Sequence, residues 1–314
     1  MISGSTLGAV LALATAVCWG ISPVCFASAG RRVGSYPVAL LRVALATGLL
    51  LSGLLVYRFA GQASLSMPSP AQWMWLALSG LVGLGVGDLL AYEALVTLGP
   101  RRATQMCTLA PVASVLLAWV WLGETFRPVT LLGIGVVLAA TSYAVLVRSR
   151  TEEVSEEPGQ VSPWGLFCAI GGAVLMGVGA VAARQAFRIG QSDPNLQLDP
   201  LLATAIRVGS AAVFLWLIAV ARLEVVKIWR HMADPHVCGR VMLGTMFGPF
   251  GGMICYVSAL KYLEAGLVST LASASPLVLL PIVWLRYKAR IGWDVVAACA
   301  LAVAGVAIIQ MRGM

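Results

Sequence analysis

Residues 87–124 read GDLLAYEALVTLGPRRATQMCTLAPVASVLLAWVWLGE. Two apolar segments of helix length lie in this stretch, and Asp88 falls about midway along the first, which begins near residue 73. Part of the pattern returns, more weakly, near residues 253–289. A carboxylate inside hydrocarbon is costly, and a chain that keeps one there usually needs it for transport or for an internal ion pair. The stretch therefore predicts membrane-spanning helices, one of which carries an acid.

The composition is that of a membrane protein. Of the 314 residues, 60% are hydrophobic and 11% are charged, which is far more apolar than an ordinary soluble domain. A spanning helix needs roughly 20 mostly apolar residues. Ten such runs occur, near residues 6–29, 36–57, 73–98, 103–122, 128–147, 163–187, 200–222, 240–263, 265–287 and 292–311. We predict an all-α polytopic membrane protein with ten transmembrane helices, located in the plasma (inner) membrane of a bacterium.

The net charge of +8 reflects topology rather than nucleic-acid binding, because the basic residues lie between the apolar runs and not along one soluble face. Thirteen of them fall on one side of the predicted membrane and six on the other. The positive-inside rule then places both termini outside. The seven cysteines are scattered and form no C-x-x-C pair, which favours apolar packing residues over disulfides or metal ligands. No metal site and no cofactor are predicted.

The chain contains an internal repeat. A shift of 157 residues aligns residues 5–24 with 162–181, and a shift of 165 pairs Arg42 with Arg207 and Pro111 with Pro276. Each half then holds five helices. Because five is odd, the second half enters the membrane from the opposite side, which gives two inverted repeats. The predicted units are residues 1–147 and 163–314, joined by a charged linker at residues 148–162.

Glycines recur one helical turn apart in two of the predicted spans. Gly83 and Gly87 form one such pair, and Gly244, Gly248 and Gly252 form a longer series. Small residues at this spacing allow two helix backbones to approach closely. The sequence GLGVGD at residues 83–88 follows no strand, so we interpret it as a helix-packing surface rather than a phosphate-binding loop.

Several of these features resemble one family. They are the five-plus-five repeat, Trp19-Gly20 in the first span, Arg42 and Arg207 near the starts of the second and seventh, and Ala-Leu followed by a distal proline in both halves (Ala94…Pro111, Ala259…Pro276). This combination resembles the drug/metabolite transporter superfamily, and the ending Leu122-Gly123-Glu124 is similar to that of its EamA-like family. The resemblance implies a central cavity lined chiefly by the third, fourth, eighth and ninth helices, and movement of small organic solutes, often amino-acid export. The second half departs from the pattern, since Ala289 stands where the first half has Glu124.

Asp88 is the leading candidate for solute chemistry. It serves either as a site for a substrate amine or a proton, or as the partner of an arginine or lysine on another helix. Tyr92 lies four residues on, on the same helical face, and Glu93 is a second, weaker candidate for proton coupling. The repeat replaces Asp88 by Met253, so any such site is asymmetric. The other predicted substrate-binding residues are Trp19, which rests on the resemblance alone, and Gln105, Thr108, Tyr256, Ser269 and Ser273.

Other unusual residues are expected to support the scaffold. The symmetric placement of Arg42 and Arg207 favours an ion pair or a cap on backbone carbonyls over anion binding. Pro111 and Pro276 are expected to interrupt the fourth and ninth helices in matched positions, as Pro249 does in the eighth. Glu124 is assigned a structural role at the end of the fourth helix.

These observations predict a secondary transporter that moves a small metabolite by alternating access. The resemblance implies an exporter, with amino acids as an example of its solutes. No G-x-x-x-x-G-K-[ST] motif is present, so the energy must come from a gradient or from exchange, with proton coupling suggested by Asp88. The expected partners are this solute and the lipid bilayer. His231 and His236 are the only histidines and lie in the 222–240 connection, which argues against an enzyme with an embedded Ser/His or H-E-x-x-H site. A carboxylate-based intramembrane enzyme and a non-transporting membrane scaffold are the alternatives.

Overall fold

The structure, a computed structural model, describes residues 4–59, 66–91, 93–94, 97–98, 109–151, 162–191 and 196–275, with isolated positions between 297 and 308. The elements in this part of the chain are helices, and no strand occurs among them. We label the longer helices α1 (Gly4–Val33), α2 (Ser35–Phe59), α3 (Pro70–Ala91), α4 (Leu109–Leu122), α5 (Pro128–Thr151), α6 (Pro163–Gln191), α7 (Pro200–Ala221), α8 (Pro235–Tyr262) and α9 (Ala265–Ala272).

Six of these helices, α1 to α3 and α6 to α8, are long and apolar enough to cross a membrane. The helix α4 and the first part of α5 are shorter apolar helices. The ninth predicted span is described only as far as residue 275, and the tenth only at isolated positions. The described helices therefore agree with a polytopic membrane protein, and two of the ten predicted spans lie largely outside the described residues.

The repeat is visible in the helix starts. Helices α2 and α7 begin at Ser35 and Pro200, and α3 and α8 begin at Pro70 and Pro235, so each pair is separated by the predicted 165 residues. The packing repeats as well: α3 and α4 pack on α6, while α8 and α9 pack on α1. Exchanging the two halves leaves this pattern of contacts unchanged, as expected for a chain made of two copies of one unit.

Short capping sequences set several helix starts. Ser69 accepts a hydrogen bond from the Gln72 backbone N–H before α3, and Asp199 and Asp234 cap α7 and α8 in the same way. Each cap is followed by a proline, whose fixed φ and missing N–H suit the first helical position. As a result α3 and α8 begin at residues 70 and 235, earlier than the predicted starts at 73 and 240. His236 therefore lies in the first turn of α8 and not in a loop, while the rest of the 222–240 connection contains a short helix, Val225–Arg230.

The predicted glycine surfaces form close helix contacts. A Cβ atom placed on Gly83 of α3 would lie 3.1 Å from the Cα atom of Gly179 of α6. On α8, a Cβ atom on Gly244 would lie 2.6 Å from the Phe26 ring, and one on Gly252 would lie 2.7 Å from the Trp19 ring, both on α1. The interpretation of these glycines as packing residues is confirmed.

Both α3 and α8 contain a π-helical segment that the sequence did not predict. These segments are Gly80–Val86 and Met246–Gly252, and they fall at equivalent places in the repeat to within one residue. Pro249 lies inside the second, so the predicted break in α8 is confirmed. Each segment adds a residue to the helical turn, and such insertions are frequent at functional sites. Asp88 lies two residues after the end of the first segment, and Met253 directly follows the second.

Candidate functional site

Asp88 forms an ion pair with Arg42. The Nη2 group of Arg42 on α2 donates a hydrogen bond to the Oδ2 atom of Asp88 on α3. The two side chains are only 14% and 17% exposed, and the Phe26 ring of α1 lies 5.5 Å from the Arg42 guanidinium. Two roles were considered for Asp88, and this geometry supports the one in which Asp88 pairs with an arginine on another helix. A role for Asp88 toward the solute stays a prediction.

Arg207 occupies the equivalent place on α7 but has different surroundings. Its side chain is 3% exposed, and its Cζ atom lies 5.4 Å from the centre of the Tyr256 ring on α8. The Nε and Nη1 groups of Arg207 are buried and have no hydrogen-bond partner among the described residues. The charge of Arg207 attracts that of Asp88, although the described side chains place no carboxylate in direct contact with it.

Trp19 and Ser269 complete a cluster around Tyr256. The indole of Trp19 stacks on the Tyr256 ring with centroids 5.1 Å apart and planes inclined by 26°. The Tyr256 hydroxyl is 3.0 Å from the Ser269 Oγ atom, within hydrogen-bonding distance. Three of the predicted substrate-binding residues therefore meet, with Arg207, where α1, α7, α8 and α9 converge. We call Trp19, Arg207, Tyr256 and Ser269 the arginine–aromatic cluster.

Other predicted residues lie elsewhere. Glu93 is exposed, and its carboxylate accepts a hydrogen bond of 3.4 Å from the Trp164 indole of α6. The Ser273 hydroxyl donates to the Thr270 carbonyl at 2.7 Å, within its own turn. Pro111 is buried in the first described turn of α4. Tyr92, Gln105, Thr108 and Pro276 lie outside the described residues.

A second polar cluster joins the ends of three helices. Gly123 adopts a left-handed φ of 63°, which ends α4 and brings the Glu124 N–H to the Ala118 carbonyl at 3.1 Å. The Glu124 carboxylate then accepts a hydrogen bond of 3.3 Å from the Arg184 Nε group of α6. We call Glu124, Arg184 and Arg188 the helix-end cluster.

The arginines of the helix-end cluster also bind backbone carbonyls. The Nη1 group of Arg184 donates to the carbonyls of Leu260 and Lys261 at the end of α8, at 2.6 and 3.1 Å. The Nη1 group of Arg188 donates to the Leu122 carbonyl at the end of α4. These contacts support the structural role expected of Glu124. In the sequence, Arg184 and Arg188 counted only among the basic residues that report topology, and their i, i+4 spacing at the end of an apolar run was the available clue.

A cavity of about 320 Å³ opens beside the helix-end cluster. Its lining comes from the ends of α6 and α8 and from the segment before α7, namely Phe187, Gly190, Gln191, Gln197, Leu198, Lys261 and Tyr262. None of these residues belongs to the arginine–aromatic cluster, so that cluster does not line this cavity.

The sequence model of the EamA-like transporter family matches the chain twice, over residues 6–146 and 163–311. The chain belongs to the EamA-like transporter family. This agrees with the resemblance to the drug/metabolite transporter superfamily and makes the protein an integral membrane protein of a transporter family. A solved structure described as "Crystal structure of protein" has 20% sequence identity and a TM-score of 0.71, covering 97% of this chain and 96% of that one, which shows a shared fold. No sequence among the curated proteins matches this chain.

Proposed function

We propose that the protein is a secondary transporter that moves small organic metabolites, such as amino acids, out of a bacterial cell by alternating access. In this proposal ten helices form two inverted repeats, residues 1–147 and 163–314, in the inner membrane. The observation that carries the proposal is the Arg42–Asp88 ion pair, because it joins two groups of helices that each combine elements of both halves.

Two groups of helices are centred on α6 and α1. Helices α3 and α4 pack on α6, and α7 packs on α3; we call these four the α6 bundle. Helices α2, α8 and α9 pack on α1 and form the α1 bundle with it, and contacts of α2 with α7 and of α4 with α9 join the two bundles. Arg42 belongs to the α1 bundle and Asp88 to the α6 bundle, so their ion pair spans the boundary. The contact between Arg207 and Tyr256 crosses the same boundary.

Alternating access requires contacts that break when one bundle rocks against the other. A charge pair within the membrane is suited to this role, because its two charges are costly to separate unless a proton or a ligand replaces one partner. Protonation of Asp88, or an amine of the solute that competes with Arg42 for it, would release the pair. Energy would then come from a proton gradient or from exchange of solutes.

The test is uptake into proteoliposomes driven by a pH gradient, with a panel of labelled amino acids. We expect uptake above that of empty liposomes for at least one solute, and a loss of its dependence on the gradient in Asp88→Asn. Glu156→Gln, which removes an acid from the charged linker, serves as the control and should keep the wild-type response. If no solute enters with either gradient direction or by exchange against internal solute, the proposal fails in favour of a non-transporting scaffold or an enzyme.

A further inference from the structure

The two halves treat one buried arginine differently. Arg42 and Arg207 are equivalent in the repeat, and each is the eighth residue of its helix, α2 or α7. Arg42 has Asp88 as its counter-ion. The residue equivalent to Asp88 is Met253, which is buried and carries no charge. The second half has therefore kept the cation of the pair and lost the acid.

The surroundings of Arg207 in the described part of the chain do not replace that acid. The Tyr256 ring covers one face of its guanidinium, and two of its N–H groups are buried without a hydrogen-bond partner there. A buried cation strongly favours an anionic partner, because a cation–π contact offsets only part of the free-energy cost of removing the charge from water. Guanidinium and carboxylate match in shape, because two parallel N–H groups face two oxygens.

We propose that Arg207 binds the carboxylate of a solute that carries a single carboxylate group. This inference rests on the proposed transport function and names the chemistry of its substrate. Trp19, which is only partly buried and stacks on Tyr256, offers an aromatic side chain for an apolar or planar part of the solute, and Ser269 adds a hydroxyl next to that of Tyr256. The nearby charge of Asp88 disfavours a doubly charged anion at the same place. Arg42 thus has the structural role that symmetry predicted for both arginines, whereas Arg207 is available to bind the solute.

The repeat supplies a sharp test, because the missing acid can be restored. Met253 precedes Tyr256 by three residues and so lies on the same helical face as the ring that covers Arg207. Met253→Asp should give Arg207 an internal counter-ion, as Asp88 does for Arg42, and block anion binding while the guanidinium stays in place. Met253→Leu is the matched control, since it changes the same side chain without adding charge.

Binding is measured as the rise in thermal unfolding temperature of the purified protein, because a ligand that binds only the folded state stabilises it. The probes are matched pairs of acid and amide, phenylalanine with phenylalaninamide and phenylacetate with phenylacetamide, and inorganic phosphate as a second source of oxyanion. We expect an acid of at least one pair to stabilise the wild type and Met253→Leu, and its amide to have a smaller effect. Met253→Asp and Arg207→Gln should each lower the affinity for that acid by roughly tenfold or more.

Several outcomes would overturn the inference. These are equal stabilisation by acid and amide, stabilisation by phosphate alone, no stabilisation by any carboxylate, or wild-type affinity in Met253→Asp. If Arg207→Gln does not fold, Met253→Asp still tests the inference. Failure of the transport proposal is distinguishable: carboxylate binding without uptake contradicts transport alone, whereas uptake that is insensitive to Met253→Asp contradicts the carboxylate site alone.

Discussion

The helix-end cluster leads to a prediction about stability. Replacing Arg184 with methionine keeps most of the apolar stem and removes its guanidinium. The change eliminates the ion pair to Glu124 and the two hydrogen bonds to the carbonyls of Leu260 and Lys261. The side chains of Arg184 and Glu124 are only 12% and 7% exposed, so the remaining carboxylate stays out of water.

The expected magnitude follows from this burial. Breaking a buried ion pair by removing one partner costs about 3–5 kcal/mol, because it leaves a buried charge without its partner. We expect a cost near the lower end of this range, since the charge of Arg188 still attracts the Glu124 carboxylate. Glu124→Gln should cost less, roughly 1–3 kcal/mol, since Arg184 still donates to two carbonyls and keeps partners for its charge. The double variant should lose about 0.5–3 kcal/mol less unfolding free energy than the sum of the two single losses, because the buried carboxylate is then absent.

The assay is the free energy of unfolding in mixed detergent micelles for the wild type, both single variants and the double variant. Arg127→Met is the control, because Arg127 is an exposed arginine three residues beyond Glu124, and its replacement should change the free energy by no more than about 0.5 kcal/mol. An Arg184→Met variant as stable as this control, or strictly additive single effects, would refute the reasoning.

Two further predictions concern packing and pH. Gly179→Ala should destabilise the protein by about 1–3 kcal/mol, since the new Cβ atom would lie 2.9 Å from the Cα atom of Gly83. The control is Gly135→Ala, which has no atom within 4 Å of its Cβ position and should be neutral or slightly stabilising in the same unfolding assay. The backbone N–H of His236, followed by the Arg32 guanidinium, lowers the pKa of Asp234 at the start of α8. Its contribution to stability is therefore present above the ordinary pKa of aspartate, about 3.9, and is lost as the pH falls through the lower folded-state value. Unfolding temperatures should accordingly fall less steeply on acidification in Asp234→Asn than in the wild type; parallel pH profiles would contradict this assignment.

The sequence predicted those parts of the fold that depend on local pattern. Apolar runs of helix length and the glycine spacing on α3 and α8 each report a property of a single helix, and the 165-residue repeat comes from comparing the chain with itself. The described helices agree with all three. The starts of α3 and α8 were also readable, because Ser69-Pro70 and Asp234-Pro235 combine a capping side chain with a proline. The predicted starts at residues 73 and 240 were too late because they were set by apolar residues alone.

The rest depends on which helices meet. Spacing along the chain cannot tell that Asp88 pairs with Arg42 and leaves Arg207 beside Tyr256, since both arginines have the same position in the repeat. The π-helical segments were equally hidden, because glycines suit both close packing and an inserted residue. Arg184 gave no sign of its carbonyl partners, which lie 76 and 77 residues further along the chain.

Counterflow in proteoliposomes tests the central claim most directly. Liposomes are loaded with an unlabelled solute, and entry of the labelled form of that solute is followed at equal pH on both sides. Internal solute accelerates this entry only if the protein carries solute in both directions. We expect faster entry into preloaded than into unloaded liposomes for at least one carboxylate-bearing metabolite, and no such difference in liposomes without protein. A well-folded protein that gives identical entry with and without internal solute, across the amino acids and monocarboxylates tried, would contradict alternating access.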